Sequence, residues 1–209
     1  SVLQEHGDEA RCLAGGHSLI PMMKLRMAMV EHLIDLQDIA ELHEISVANG
    51  RVNLGAMVTQ HAMITSDALA SAAPLLREAA EQIADPQVRY MGTVGGNVAN
   101  GDPGNDMPGL MQALDATFTL LGPDGTRGGA ARDFFEGADT ATREDEEIPT
   151  KITFDAHAKG YAYEKQKRKI GDCATVAAAV LVEKDGTVAG KVDIAMTNLS
   201  DTPVYSEAA

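Results

Sequence analysis

Two glycine pairs are the places in this chain where chemistry could be done without a reactive side chain: Gly15-Gly16 in AGGHS (residues 14–18) and Gly95-Gly96 in TVGGN (residues 93–97). Each follows an apolar stretch. Glycine inside a regular element costs about 0.5–1 kcal/mol relative to alanine, so a pair points to a sharp bend or to something that approaches the backbone closely. Successive N–H groups in such a bend form a concave nest for an anion, and the missing Cβ leaves room for a diphosphate. Two tight turns with no ligand would account for the same residues. Neither pair has the spacing G-x-G-x-x-G and the chain holds no G-x-x-x-x-G-K-[ST], which weakens an ordinary dinucleotide fold or a P-loop as the explanation.

Other residues carry two readings each. Asp106 precedes Met107, Leu110, Met111 and Leu114 at helical spacing, with Pro108 in the first turn, so it is placed to cap a helix, a role worth about 1 kcal/mol. The same carboxylate could accept a hydrogen bond from a sugar or other polyol hydroxyl, and the roles can coexist. Lys165, Lys167, Arg168 and Lys169 form the one dense basic cluster, which suits a solvated face or a contact between a lysine and a phosphate or acidic partner. His17 could donate to a phosphate or close the glycine turn, and with no base or nucleophile beside it no catalytic role is assigned. Met22, Met23, Met27 and Met29 suit core or interface packing. Cys12 and Cys173 match no metal or redox spacing and are read as reduced thiols.

The elements that must position these residues follow from periodicity and turn chemistry. ARCLA runs as a short strand into the first glycine pair, and a helix begins near Pro21. Residues 32–36 alternate as a strand. Ile45 and Val47 oppose Val52 and Leu54 across Asn49-Gly50, a hairpin signal. Residues 71–84 place Leu75, Leu76, Ala79, Ala80 and Ile83 on one helical side. Strands are predicted in 116–126 and 150–154, and two apolar runs meet at Asp185-Gly186. The polar stretch 138–150 is the candidate boundary between a larger N-terminal part and a smaller C-terminal one.

Bulk composition narrows the partners. The chain has 209 residues with 44% hydrophobic, enough for a core, and a formal net charge of -14. That charge argues against a nucleic-acid surface or an anionic membrane, so any phosphate must be held locally. No apolar run reaches the ~18 residues of a membrane span, and the start lacks the plan of a signal peptide, so a cytosolic protein is expected. The first residue, Ser1, and the strand-like end suggest trimmed termini.

Taken together, AGGHSLIPMMKLR, IADPQVRYMGTVGGNVANGDPGNDMP and GYAYEKQKRKIGDCAT resemble the medium, FAD-binding subunit of the molybdenum hydroxylases, nearest to its carbon monoxide dehydrogenase branch. The resemblance implies an α+β fold: a two-lobed FAD-binding domain of the vanillyl-alcohol-oxidase (PCMH) type, with FAD extended between the lobes, and the start of a C-terminal α/β domain. The units are residues 1–154, with lobes of about 1–36 and 37–154, and residues 155–209 as a partial second domain. By position the diphosphate falls to Ala14, Gly15, Gly16, His17, Ser18 and Leu19 and to Thr93, Val94, Gly95, Gly96 and Asn97. Asp106 takes the sugar or ribityl part, and Lys165 is the lysine of the Y-x-K block. Two departures accompany the match. Cys173 stands where relatives carry a tyrosine near the isoalloxazine, and Pro149 stands where they tend to carry leucine, in a loop expected near the flavin ring.

The implied role is an electron-transfer station with no catalytic or metal-ligating residue of its own. A large subunit would hold molybdopterin and oxidise the substrate, a small one would relay electrons through [2Fe-2S] clusters, and FAD here would pass them to an external acceptor. The assembly would be a dimer of heterotrimers in the cytoplasm, with association to the inner face of the membrane through the acceptor chain left open. Rival readings are the flavin subunit of a nicotine, quinoline or xanthine-type hydroxylase, a stand-alone FAD oxidase, and a nucleotide-binding module without redox turnover.

Overall fold

The computed structural model describes residues 1–206. After a short capped helix, α1 (Val2–His6), the chain forms β1 (Ala10–Leu13), α2 (Leu19–Lys24) and β2 (His32–Asp35), with β1 and β2 parallel and Leu13 opposite Asp35. The first glycine pair lies between β1 and α2. β3 (Ile45–Ala48) and β4 (Arg51–Gly55) are the predicted hairpin, and both Asn49 and Gly50 take positive φ (51° and 75°), as a two-residue turn of this hand requires.

A helical run follows: α3 (Gln60–Thr65), α4 (Asp67–Ala72), α5 (Pro74–Gln82), α6 (Pro86–Met91), α7 (Val94–Asn100) and α8 (Asp106–Ala113). The single helix predicted over 71–84 is two helices, because Pro74 fits only in a first turn and the chain breaks at Ala73 ahead of it. The apolar face is as predicted, with Leu75, Leu76, Ala79 and Ala80 fully buried.

The remaining strands are β5 (Thr117–Gly122), β6 (Gly125–Ala130), β7 (Phe135–Gly137), β8 (Thr140–Ala141), β9 (Ile148–Asp155), β10 (Tyr161–Gln166), β11 (Val176–Asp185), β12 (Val188–Thr197) and β13 (Val204–Ser206). They build an antiparallel five-stranded sheet in the order β3-β4-β9-β5-β6, an antiparallel four-stranded sheet in the order β10-β11-β12-β13, and the small β7-β8 pair. The polar stretch 138–150 is therefore not a boundary. It runs through β8 into β9, the central strand of the larger sheet, and the chain passes to the second sheet only after Asp155.

α7 packs on β9 and on α8, and α8 packs on β11, β12 and β13, so these two helices lie between the sheets. The main core is continuous through them: Leu54, Phe118 and Ile152 on one side, Val94, Val98, Leu110 and Met111 between, and Ala177, Ala179 and Ala195 on the other. The approach of α8 to the second sheet is close, for a Cβ on Gly109 would collide with the Thr197 hydroxyl. A smaller core of Leu36, Leu42 and Met57, with Cys12, Ala14 and Ile34 against it, seats the N-terminal β1-α2-β2 unit. Of the two readings of Met22, Met27 and Met29, core or interface packing, the core one is excluded: α2 has no buried residue and these three side chains are exposed.

Candidate functional site

The first glycine loop is the bend the sequence predicts. Gly16 has φ of +72°, and a Cβ on Gly15 would run into the Met91 carbonyl, so the two positions need glycine for different reasons: one for the turn, one for the approach of α6. Among the described residues, no backbone N–H from Ala14 to Leu19 donates to a protein acceptor, whereas Gly16 and Ser18 use their carbonyls to receive Ile20 and Met22 (3.0 and 3.2 Å). The loop thus leaves these donors unengaged by the described residues. His17 Nδ1 lies 2.7 Å from the Gly15 carbonyl, which can only accept, so Nδ1 carries the proton and the ring closes the turn. Ser18 stands before α2 with no capping bond from its hydroxyl.

The second glycine pair is not a bend. Residues 94–97 form the first turn of α7, with Thr93 as the cap whose hydroxyl accepts from Gly96 N–H (3.1 Å). Val94 N–H donates to Val58 O (2.9 Å), Gly95 N–H to Ala56 O (2.9 Å) and Asn97 N–H to Thr93 O (3.0 Å). The four donors that a nest here would need are thus engaged within the chain. Gly95 is a spacer, since a Cβ on it would lie 2.5 Å from the Ala56 Cβ and 2.7 Å from the Ala56 oxygen. Gly96 faces the other way, and a Cβ on it would lie 3.5 Å from the Ala14 Cβ. The two glycine segments are therefore neighbours, one offering N–H groups and the other a wall without Cβ.

Asp106 does not cap α8. The start of α8 is capped from α7, where Asn97 Oδ1 accepts from Met107 N–H (3.3 Å), and the Asn105 amide donates back to the Asn97 carbonyl (3.1 Å). That frees the Asp106 carboxylate to turn toward β10. Its Oδ1 accepts from the Tyr163 hydroxyl and its Oδ2 lies 2.8 Å from Lys165 Nζ. Side-chain exposure is 5% for Asp106 and 1% for Lys165, so this is a buried pair, and losing one partner would cost about 3–5 kcal/mol. Burial first, then the charge and hydrogen bond of Asp106, push the Tyr163 phenol far above its ordinary range, which keeps it a neutral donor. Three of the four cluster residues are engaged within the chain: Lys165 is paired with Asp106, Lys167 donates to the Gln82 carbonyl (3.2 Å), and Arg168 pairs with Asp172 (3.2 Å).

Residues 1–154 match the family described as the FAD binding domain in molybdopterin dehydrogenase. The chain belongs to that family. It is 53% identical to the carbon monoxide dehydrogenase medium chain of Afipia carboxidovorans over 211 residues, covering 100% of this chain and 73% of that one. The solved carbon monoxide dehydrogenase from Hydrogenophaga pseudoflava superposes with a TM-score of 0.97 at 47% identity, covering 99% of this chain and 73% of that chain. Quinoline 2-oxidoreductase from Pseudomonas putida 86 superposes with a TM-score of 0.92 at 32% identity, covering 98% and 71%.

For a member of this FAD-binding family the group to be accommodated is FAD, and the residues present fit it. An acidic protein offers unengaged main-chain donors at 14–19, an adjacent strip without Cβ at Gly96, and a buried carboxylate at Asp106 with oxygens fixed in place. Cys173 is exposed and lies over Gly104, where a glycine Cβ would be 3.4 Å from its own. Burial, then the Asp102 charge, raise its thiol above the ordinary range. Pro149 corrects an expectation: it lies in β9 and not in a loop, beside a register shift opposite Thr119 and Leu120. A bulge is where a strand tolerates a residue without N–H. Sequence reasoning does not single out Tyr163 or Asn97 as internal partners. The signal for Tyr163 is the alternation in YEK, which puts residues 163 and 165 on one face of a strand.

Proposed function

We propose that this chain is the FAD-carrying medium subunit of an aerobic carbon monoxide dehydrogenase, an electron-transfer station that performs no substrate chemistry of its own. The observation that carries the reading is the 53% identity sustained over 100% of this chain, beside 32% for the quinoline enzyme of the same fold. CO and water give CO2, two protons and two electrons at a large subunit holding the molybdenum cofactor, and a small subunit relays the electrons through [2Fe-2S] clusters. FAD, when bound, supplies a carrier that takes electrons singly or in pairs and so couples one-electron donors to a two-electron acceptor.

The residues of this chain bind and orient. The N–H groups of residues 14–19, with Gly15, Gly16, His17 and Ser18 among them, face the diphosphate, which suits a chain of net charge -14. Thr93, Val94, Gly95, Gly96 and Asn97 form the opposite wall, Asp106 accepts from a sugar or ribityl hydroxyl, Lys165 holds Asp106, and Cys173 borders the ring. Residues 1–36 and 37–154 act as the two lobes, and residues 155–209 begin a second domain. The partners are the large and small subunits in a dimer of heterotrimers and an external acceptor. Among the described residues no helix is long and apolar enough to cross a membrane, and the location proposed is the cytoplasm, with contact to the membrane made through the acceptor chain.

The test is purification of the assembly from its source with extraction of the bound nucleotide. FAD together with molybdenum, iron and sulfide in constant ratio, and CO-dependent bleaching of the flavin, are the expected results. Bleaching by quinoline or nicotine in place of CO would move the chain to another hydroxylase. Oxidation of an alcohol by the isolated chain would make it a stand-alone oxidase, and bound FAD that its partners cannot reduce would leave a nucleotide-binding module.

A further inference from the structure

The part of the chain matching the FAD-binding family ends at residue 154, yet both partners of Asp106 lie beyond it, 57 and 59 residues along the chain, on β10. Tyr163 is 2% exposed, and it sits opposite Ala179 on β11 as Lys165 sits opposite Ala177. These small neighbours leave the tyrosine ring and the lysine stem room to lie side by side beneath the start of α8. Each Asp106 oxygen has one donor from β10: a hydroxyl on Oδ1, an ammonium on Oδ2. A carboxylate oxygen has two lone-pair directions, so a donor on each fixes the rotation of the group and leaves one direction on each free.

From this geometry we infer that Tyr163 is a positioning residue of the FAD site, acting through Asp106: its hydroxyl locks the carboxylate so that a free lone pair meets a cofactor hydroxyl, and the second sheet thereby becomes part of the site. The inference rests on the proposed role of Asp106 as the acceptor for a sugar or ribityl hydroxyl. Lys165 alone does not suffice for this, since an ammonium on a four-carbon stem is a point charge that follows the carboxylate as it rotates. The tyrosine hydroxyl, on a ring with two rotatable bonds packed in the core, holds a direction.

The experiment is a cycle of substitutions read by FAD dissociation from the full chain, with urea unfolding of the cofactor-free protein alongside. Tyr163→Phe keeps the ring and removes the hydroxyl, and it is expected to raise the FAD dissociation constant about tenfold. The reference background is Asp106→Asn with Lys165→Met, which removes both buried charges together and avoids stranding either one. There Tyr163→Phe is expected to change FAD dissociation by less than a factor of two, because groups acting through one another are not additive. An equal tenfold loss in both backgrounds would overturn the inference and leave Tyr163 as a packing residue. So would a Tyr163→Phe chain that, in the native background, releases FAD no more readily than the native protein. If the doubly substituted background itself holds FAD as tightly as the native chain, the Asp106 role fails first, independently of Tyr163.

Discussion

The two glycine pairs look alike in sequence and do opposite things in the fold. Gly15 and Gly16 form a true bend that leaves a row of N–H groups from 14 to 19 without acceptors among the described residues. Gly95 and Gly96 lie in a helix whose N–H groups are already bonded, and their lack of a Cβ serves contact: Gly95 against Ala56, Gly96 toward Ala14. Glycine in a short motif thus marks either a donor surface or a contact surface, and the difference lies in where the hydrogen bonds go. In the proposed role, the first kind would hold a diphosphate and the second would admit it.

The largest effect should come from the contact surface. Gly95→Val would put a branched side chain into the Ala56 backbone, which cannot yield as a flexible side chain would. Overpacking of this sort costs about 1–3 kcal/mol or more. The cofactor-free chain should lose that stability in urea unfolding. A variant as stable as the native chain that merely fails to hold FAD would erase the distinction between the two pairs. The donor surface predicts the reverse balance. Gly16→Ala meets the Ile20 side-chain terminus, which can move, and must hold φ near +72° at a cost of about 1–2 kcal/mol. Because the bend aims the N–H groups, FAD affinity should fall about tenfold, equivalent to about 1.4 kcal/mol, and equilibrium dialysis against FAD reads it. FAD affinity equal to the native value would remove the loop from the site.

How much of this is legible in the sequence depends on how local the cause is. The hairpin at Asn49-Gly50, the first glycine bend and the apolar face of α5 follow from turn chemistry and periodicity over a few residues. α7 is hidden because glycine pairs argue against helix and seven residues carry too little periodicity. What holds it is a Thr93 cap and contact with 56–58, the second not a sequence signal. β6, with the sequence GTRGGA, has Thr126 as its one strong strand former, which an edge position tolerates. Asp106 looks like a cap because its spacing to the apolar stripe of α8 is that of a cap. Its partners lie 57 and 59 residues away, and only the packing of α8 on the second sheet brings them together. The family is readable because three separate blocks match in order, while the job of each residue inside a block is not.

Asn97 offers a smaller test of the same contrast, since it joins the contact surface to α8. Asn97→Ala removes the acceptor for Met107 N–H and should cost about 1 kcal/mol of stability, as loss of a helix cap generally does. Urea unfolding measures it. FAD affinity should fall by less than in Gly16→Ala, because Asn97 acts on the start of α8 and not on the donor row. A loss of affinity larger than that of Gly16→Ala would instead place the Asn97 side chain against the cofactor.

The smallest effect is kinetic, and it compares the two thiols that border these regions. Cys12, half-buried on the strand that leads into the donor loop, and Cys173, exposed beside Gly104, both have thiols raised above the ordinary value of about 8.5, chiefly by burial. The thiolate is the reactive form, so alkylation by iodoacetamide at pH 7.5 should be slow for both and should accelerate as pH rises past that ordinary value. Exposure puts Cys173 ahead of Cys12. If Cys173 borders the flavin ring, saturating FAD should slow its alkylation several-fold, while Cys12, which packs beneath Leu36 and Met57 in the small core, should keep its rate. Peptide mapping by mass spectrometry separates the two positions. Equal rates for Cys173 with and without FAD would leave the cofactor bounded by the glycine segments and Asp106 and would remove Cys173 from the site.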